Sequence, residues 1–528
     1  MRLGPTGLIE VVCPFDAVTH AQLRGLRPRG QWLPRRGCWE FPLEAAAVLQ
    51  DQLAGRFPIT PELLQWLQWL AQPLPPLPSH RRLVAAADLE QPLADGRRLL
   101  AHQRHAVRWL LARRGAILAD AMGLGKTLTS LVAARALARL SDARILVVAP
   151  AGLHRHWRQE AASLELRLEL HSWARLPLEL PPAGTILIAD EAHHAQTLAA
   201  ARTRSFLRLA RHPRLRAIWL LSGTPMKNGR PAQLFPLLAA IGHPLAADQR
   251  RFEELFCDGH WRELAGRRLW QASGATRLEE LQRLLRPLLL HRRKEQCLDL
   301  PPKHRRLWPV PLDAAAAAGF QRRLEACVNA YRQRARRGLV RRDAEVLAVL
   351  TALRRIGSDH KLPSAIALVE RLLGQGEPVV LFTAFLASAA RLERHFAALA
   401  PVLLTGRLAP ARRQAAVDRF QAGATPLLVA TYGTGGLGFS LHRARHVLLL
   451  ERPWTPGDAE QAEDRCHRIG MGGDGLTCHW LQLGLADQLV DGLISSKAER
   501  IELVLQGRRQ RLARRSLPRM LRQLLEEW

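Results

Sequence analysis

The stretch "ADAMGLGKTLTS", Ala119 to Ser130, decides the fold. Gly125-Lys126-Thr127 has the form that closes a phosphate-cradling loop, G-x-x-x-x-G-K-[ST], but Asp120 stands where that pattern opens with glycine. Such a loop needs close backbone around phosphates, an ammonium for the terminal phosphates and a hydroxyl for Mg²⁺. Gly123 and Gly125 permit the backbone, Lys126 supplies the cation and Thr127 the hydroxyl. The apolar run "GAILAD" (115–120) precedes the loop as a strand would, with Asp120 as its last residue. "KTLTSLVAARALARL" follows with the pattern of a helix.

Outward from this loop, short continuous apolar runs alternate with longer amphipathic segments: "RILVVAP" (144–150), "TILIAD" (185–190) and "AIWLLSG" (217–223). Strands buried on both faces have this pattern, so a parallel α/β sheet is expected. A second series begins near Glu377 with "PVVLFTAF" (378–385), "PVLLTG" (401–406), "PLLVAT" (426–431), "HVLLLE" (446–451) and "HWLQLG" (479–484). The expected domains are a small N-terminal α+β unit (1–78), a first ATP-binding lobe (79–300), a helical linker or insertion (301–375), a second lobe (376–500) and a basic helical tail (501–528). The proline-rich "QPLPPLPSH" (72–80) has the composition of a linker.

The chain has 528 residues, enough for roughly three cores. Lys and Arg number 77 against 47 Asp and Glu, a formal +30, which favours a polyanionic partner. Arg-rich codon usage accounts for Arg replacing Lys, but not for the basic surplus. Only six lysines occur: Lys126, Lys227, Lys294, Lys303, Lys361 and Lys497. A lysine that survives such usage is expected where a compact ammonium is needed. Seven scattered cysteines without a C-x-x-C pair suggest reduced thiols. No run approaches a membrane span and no secretory signal is evident, so no membrane partner and a cytoplasmic, nucleoid-associated location are expected.

The decisive companion of the loop is "LIADEAHH" (187–194). An apolar strand ending in Asp190-Glu191 places two carboxylates where the sheet opens. Asp190 is suited to hold Mg²⁺ and Glu191 to polarise the attacking water. His193 can link them to a neighbouring element. Together with the loop about sixty residues earlier, this makes an ATP site, with ATP and Mg²⁺ as cofactors.

Seven blocks occur in order: "GAILADAMGLGKT", "VVAPAGLHRHW", "ADEAHH", "LLSGTPMKN", "LHRRKEQCLDLPPK", "TYGTGGLGFSL" and "QAEDRCHRIGM". They resemble the motifs of the Swi/Snf-type ATPases of helicase superfamily two, from about 97 to 500. The resemblance implies two RecA-like parallel-sheet lobes with helical insertions. It implies that Gln103 reads adenine, that Gly436 lies against nucleotide, and that Ser222-Gly223-Thr224 with His193 and Gln461 couples hydrolysis to lobe movement. It also implies that Arg465 and Arg468 reach across to the phosphates, a contribution of ~10³–10⁵ in rate where such a finger is present. Contacts to the DNA backbone are expected from Lys227, Asn228, Thr383, Arg413 and Thr431, and hence sequence-independent binding to double-stranded or branched DNA. Three departures from the family pattern, Gln196-Thr197, Met471 and "GFS" (438–440), remove no phosphate, metal or water ligand.

Residues 15–53 have a helix-like stretch, a basic Trp-bearing hairpin-like stretch and another helix, and resemble the HARP module of annealing-helicase relatives. "RFEELFCDGHW" (251–261) and "WQASGATRLEELQRLL" (270–285) add to that resemblance. Trp32 and Trp39, among several arginines, either stack on unpaired bases or form the core of a small domain. The leading expectation is a DNA translocase that remodels or anneals forks. A remover of DNA-bound proteins such as RNA polymerase is the alternative motor, and a nucleotide-switched DNA-binding scaffold with vestigial hydrolysis the alternative from another class.

Overall fold

In the computed structural model, described residues run from 1 to 507 apart from 4–8, 15, 28, 42–44, 54, 62, 65–79, 142, 178–181, 183, 213–214, 265–266, 338–341, 407, 434–438 and 474. Apolar runs become two six-stranded, all-parallel sheets. The first has the spatial order Leu289–Leu290, Gly115–Leu118, Ala217–Leu221, Ile186–Asp190, Ile145–Ala149, Glu169–Ser172. Its four central strands are buried on both faces because alternate side chains enter two separate cores. Ile117, Leu187 and Leu220 enter one core, while Leu118, Ile188 and Trp219 enter the other.

The second sheet runs Lys303–Pro309, Leu476–Gln482, His446–Leu449, Val379–Thr383, Leu427–Thr431, Val402–Leu404. Val380, Phe382 and Leu428 face one core, and Val379, Leu381 and Leu427 the other. Two long helices, Ala314–Arg336 and Arg342–Gly374, precede the strand Val379–Thr383. The expected helical linker (301–375) therefore needs correction at its start, where Lys303–Pro309 is an edge strand of the second sheet paired in register with Leu476–Gln482.

The helix Gly484–Gln506 crosses the expected boundary at 500 and returns to the first lobe, where Leu503 and Val504 are buried with Leu278 and Leu281. The rest of the expected tail, 508–528, and most of the linker 72–80 lie outside the described residues.

The N-terminal unit is a four-stranded antiparallel sheet flanked by the helices Ala17–Gly25 and Ala46–Leu53. It is a small α+β unit. The fully buried Glu10 carboxylate is neutralised by Arg2 at 2.9 Å and Arg36 at 2.5 Å.

Candidate functional site: a nucleotide cleft between two lobes

The phosphate loop lies between the strand Gly115–Leu118 and the helix Lys126–Ser141. Gly123 and Gly125 both have left-handed backbone, φ +86° and +76°. A Cβ on Gly125 would lie 2.2 Å from Gln103 Nε2, so glycine is required there for conformation and for space. Lys126 Nζ donates to the carbonyl oxygens of Asp120 at 2.7 Å and Ala121 at 3.3 Å. Thr127 follows at the helix start.

Gln103 is buried beside the loop, its Oε1 accepting from Leu100 N at 3.0 Å and its Nε2 donating to Leu124 O at 3.4 Å. Asp120, expected as the last residue of the strand, instead lies two residues beyond its end at Leu118, where it is buried and ion-paired in bidentate fashion with Arg292, whose Nη1 also donates to His102 O.

Asp190 ends a central strand. Its Oδ2 accepts from Trp157 Nε1 at 2.9 Å and its carbonyl from Trp173 Nε1 at 2.8 Å. Trp157 fixes the carboxylate and Trp173 the backbone beneath it, and their role was not read from the sequence, although Trp157 lies in one of the quoted blocks. Burial and then the like charge of Glu191 push the Asp190 carboxyl up to about 6. Burial also opposes ionisation of Glu191. His193 and the charges of Lys126 and Arg465 outweigh that and hold Glu191 at about 2. Glu191 has φ +50°, a conformation uncommon for a side chain this large and of a kind that clusters at active sites.

His193 Nδ1 lies 3.1 Å from Glu191 Oε2 and 3.2 Å from Ser222 Oγ, bringing together the residues expected to couple the site to its neighbour. Ser222 Oγ in turn accepts from Thr224 N at 3.2 Å. Gln196, a departure from the family pattern, reinforces the same connection. Its Nε2 donates to Pro225 O at 2.7 Å, and its Oε1 accepts from Gln233 Nε2 at 2.8 Å.

The second lobe closes on this arrangement. A Cβ on Gly457 would meet Thr224 Cγ2 at 2.8 Å, so the helix Pro456–Glu463 sits directly against the Ser222–Thr224 segment. Lys227 Nζ pairs with Asp458 at 2.7 Å. Gln461 is buried within that helix. Arg465 is 2% exposed, and its Nε and Nη1 have no hydrogen-bond partner among the described residues. Burial and then Arg468 pull its pKa down, while Glu191 acts in the opposite direction. Arg468 is half-buried, its Nε donating to Asp464 O at 3.1 Å. Positive-φ glycines, the Lys126 ammonium, a buried carboxylate pair and guanidinium nitrogens without a partner among the described residues fit a nucleoside triphosphate with a divalent cation.

Other expected residues are placed differently. Thr383 is fully buried and donates to Glu451 at 3.0 Å, which corrects its expected DNA contact. Trp39 is 3% exposed and packs with His20, Trp32 and Phe41, so the core alternative holds for it. Trp32 is partly buried in the same cluster. Arg413 donates to Gly406 O at 2.9 Å, while Asn228 and Thr431 are half-buried. Gly436 lies outside the described residues.

This geometry defines a two-lobed nucleotide-cleft protein. Family models match in the same arrangement: an SNF2-related domain over residues 102–169 and 183–362, and a helicase conserved C-terminal domain over 364–470. The chain belongs to the SNF2-related, or Swi/Snf-type, ATPases of helicase superfamily two.

Among its relatives, mouse "DNA annealing helicase and endonuclease ZRANB3" is 28% identical over 462 residues, covering 79% of this chain and 41% of that protein. The Bacillus subtilis "putative ATP-dependent helicase/translocase YwqA" is 25% identical over 486 residues, covering 81% and 51%. The chain thus spans about half or less of the length of these relatives. The Sulfolobus solfataricus SWI2/SNF2 ATPase core in complex with dsDNA aligns at 20% identity and a TM-score of 0.36, covering 80% of this chain and 96% of that one. Among the described residues no helix is long and apolar enough to cross a membrane.

Proposed function

We propose that the chain is a DNA-dependent ATPase that uses ATP and Mg²⁺ to move on duplex DNA and to remodel or anneal branched and fork DNA. The observation that carries the proposal is the seating of the second lobe on the first beside Asp190-Glu191: Gly457 lies against Thr224, Lys227 pairs with Asp458 at 2.7 Å and Lys294 with Asp464 at 3.0 Å, next to the buried Arg465. Backbone N–H groups around Gly123 and Gly125 and the Lys126 ammonium hold the β- and γ-phosphates. A magnesium ion held by Thr127 and Asp190 would offset phosphate charge.

Glu191 orients the attacking water and Arg465 stabilises charge on the transferring group. Gln103 borders the loop where adenine is expected. His193 then ties the state of Glu191 to Ser222, and Thr224 passes it to the second lobe at Gly457. Lys227, Asn228, Arg413 and Thr431 are the proposed backbone contacts, which makes binding sequence-independent and weaker as salt rises. The proposed location is the cytoplasmic nucleoid, where duplex DNA is available.

The test is ATP turnover with no DNA, plain duplex and model fork, on wild type and Glu191→Gln. Stimulation by DNA that is lost in the variant, together with fork regression or annealing, supports the reading. Turnover indifferent to every DNA overturns the motor in favour of a nucleotide-switched scaffold. Efficient clearance of a protein-blocked duplex without fork activity favours the remover of bound proteins.

A further inference from the structure

The two stretches around Trp261 and Trp270 form an element that the nucleotide cleft does not use. His260–Leu264 and Arg267–Gln271 make an antiparallel two-stranded hairpin inserted in the first lobe, with Trp261 opposite Trp270. A two-stranded hairpin is marginal by itself, so it must be held. Trp270 Nε1 donates to Glu253 Oε2 at 2.6 Å on the helix Gln249–Phe256. From the same helix, Arg250 lies over both indoles, 4.7 Å from the Trp261 centroid and 4.5 Å from that of Trp270. At its root, Gly274 N donates to Cys257 O at 2.9 Å, and Cys257 hydrogen-bonds the backbone of Ala232. That anchors the hairpin to the segment following Lys227 and Asn228.

Alternation puts Trp261 and Trp270 on the anchored face and Arg262 and Leu269 on the other. Arg262 is exposed and Leu269 is 50% exposed, while Trp261, although covered by Arg250 and Arg268, remains 45% exposed. Residues 260–271 carry three arginines against one glutamate. A rigidly held, cationic element with aromatic and aliphatic surface in solvent suits a ligand that offers phosphate charge and flat apolar faces together.

We propose that this hairpin is a separate nucleic-acid contact that takes the unpaired bases at a DNA branch point, with Arg262 holding the backbone, Leu269 packing on a base at the solvent face and the exposed part of Trp261 packing on a base at the other face. The proposal rests on the reading that the chain acts on DNA, and it assigns branch selectivity to the first lobe.

The experiment uses the full chain without nucleotide, a fork carrying 2-aminopurine at the branch, and a plain duplex of equal length. The variants are Arg262→Ser/Leu269→Ser on the solvent face and Trp261→Ala. Circular dichroism checks that each variant is folded. Expected is a weakening of fork affinity by about fivefold or more, and loss of the 2-aminopurine response on binding, with duplex affinity and duplex-stimulated turnover unchanged. Unchanged fork affinity in both variants overturns the proposal, as does an equal loss on fork and duplex. A change confined to self-association in sedimentation overturns it in favour of a face that binds a second copy. Wild type without DNA-stimulated turnover would remove the motor reading, whereas the nucleotide-free binding comparison still judges the hairpin by itself.

Discussion

Lys294, in the first lobe, donates through Nζ to the carbonyl of His467 at 2.7 Å and pairs with Asp464 at 3.0 Å, both in the second. It is 4% exposed, and its side chain borders the place where a Cβ on Gly123 would lie. Its two predecessors point elsewhere, Arg292 to Asp120 beside the phosphate loop and Arg293 to Glu502 on the returning helix. Three consecutive basic residues thus join the loop, the arginine-bearing segment and the C-terminal helix.

Lys294→Met is expected to lower kcat about ten- to hundredfold by letting the Arg465 segment drift, with ATP affinity changed much less. Asp464 keeps Lys303 at 3.2 Å, so the variant does not leave a buried carboxylate without a cation. Single-turnover hydrolysis alongside nucleotide binding measures the split. A loss that falls wholly on binding would show that Lys294 serves the loop and not the arginines.

The His193 bridge makes a different prediction. Glu191→Gln should cut turnover by about a hundredfold or more while leaving ATP bound, because the group that orients water is lost. Ser222→Ala removes one end of the His193 contact without touching the phosphates. Turnover on DNA should then persist within about threefold while fork remodelling falls by at least tenfold. Remodelling assayed per ATP consumed gives the result, and an unchanged ratio would refute coupling through Ser222.

Chemistry that is local in sequence was legible in it. The loop, the Asp190-Glu191 strand end and the arginine frame each fit within a dozen residues, and fully buried parallel strands appear as unbroken apolar runs. Contacts distant along the chain were not: Asp120 meets Arg292 from 172 residues away. Lys303–Pro309 escaped because an edge strand pairs on one side only, and four of its central residues, His304 to Leu307, are exposed and mostly basic. Residue type also misjudged exposure, since Thr383 and Trp39 suit a DNA contact chemically but lie in cores. The hairpin carried a usable signal in the Trp261 and Trp270 stretches flanking Ala265-Gly266, which served only as a mark of kinship.

Gly125→Ala tests the loop in two ways at once. The new methyl would meet Gln103 Nε2, and φ +76° would cost an L-residue about 1–2 kcal/mol. ATP binding should therefore weaken by at least about five- to thirtyfold in Gly125→Ala, and Gly125→Ala/Gln103→Ala should remain weaker than Gln103→Ala alone by about that factor, because the clash is gone but the strain is not. Recovery of affinity in the double variant, followed by fluorescent-nucleotide titration, would mean that space alone dictates the glycine.

The returning helix permits a prediction in which the affected lobe differs from the one the residue follows in sequence. Leu503 comes after the last strand of the second lobe, yet it is 6% exposed in the core of the first, with Leu278, Leu281 and Leu284. Leu503→Ala should destabilise the first lobe by about 2–4 kcal/mol, the transfer and cavity cost of a buried leucine. Arg293→Ala, which removes a partly exposed ion pair with Glu502, should cost about 1 kcal/mol or less. Urea unfolding followed by a first-lobe probe, such as hydrogen exchange in Leu278–Leu285, would detect this loss. If protection falls only around Leu476–Gln482 in the second lobe, the helix does not clasp the two lobes together.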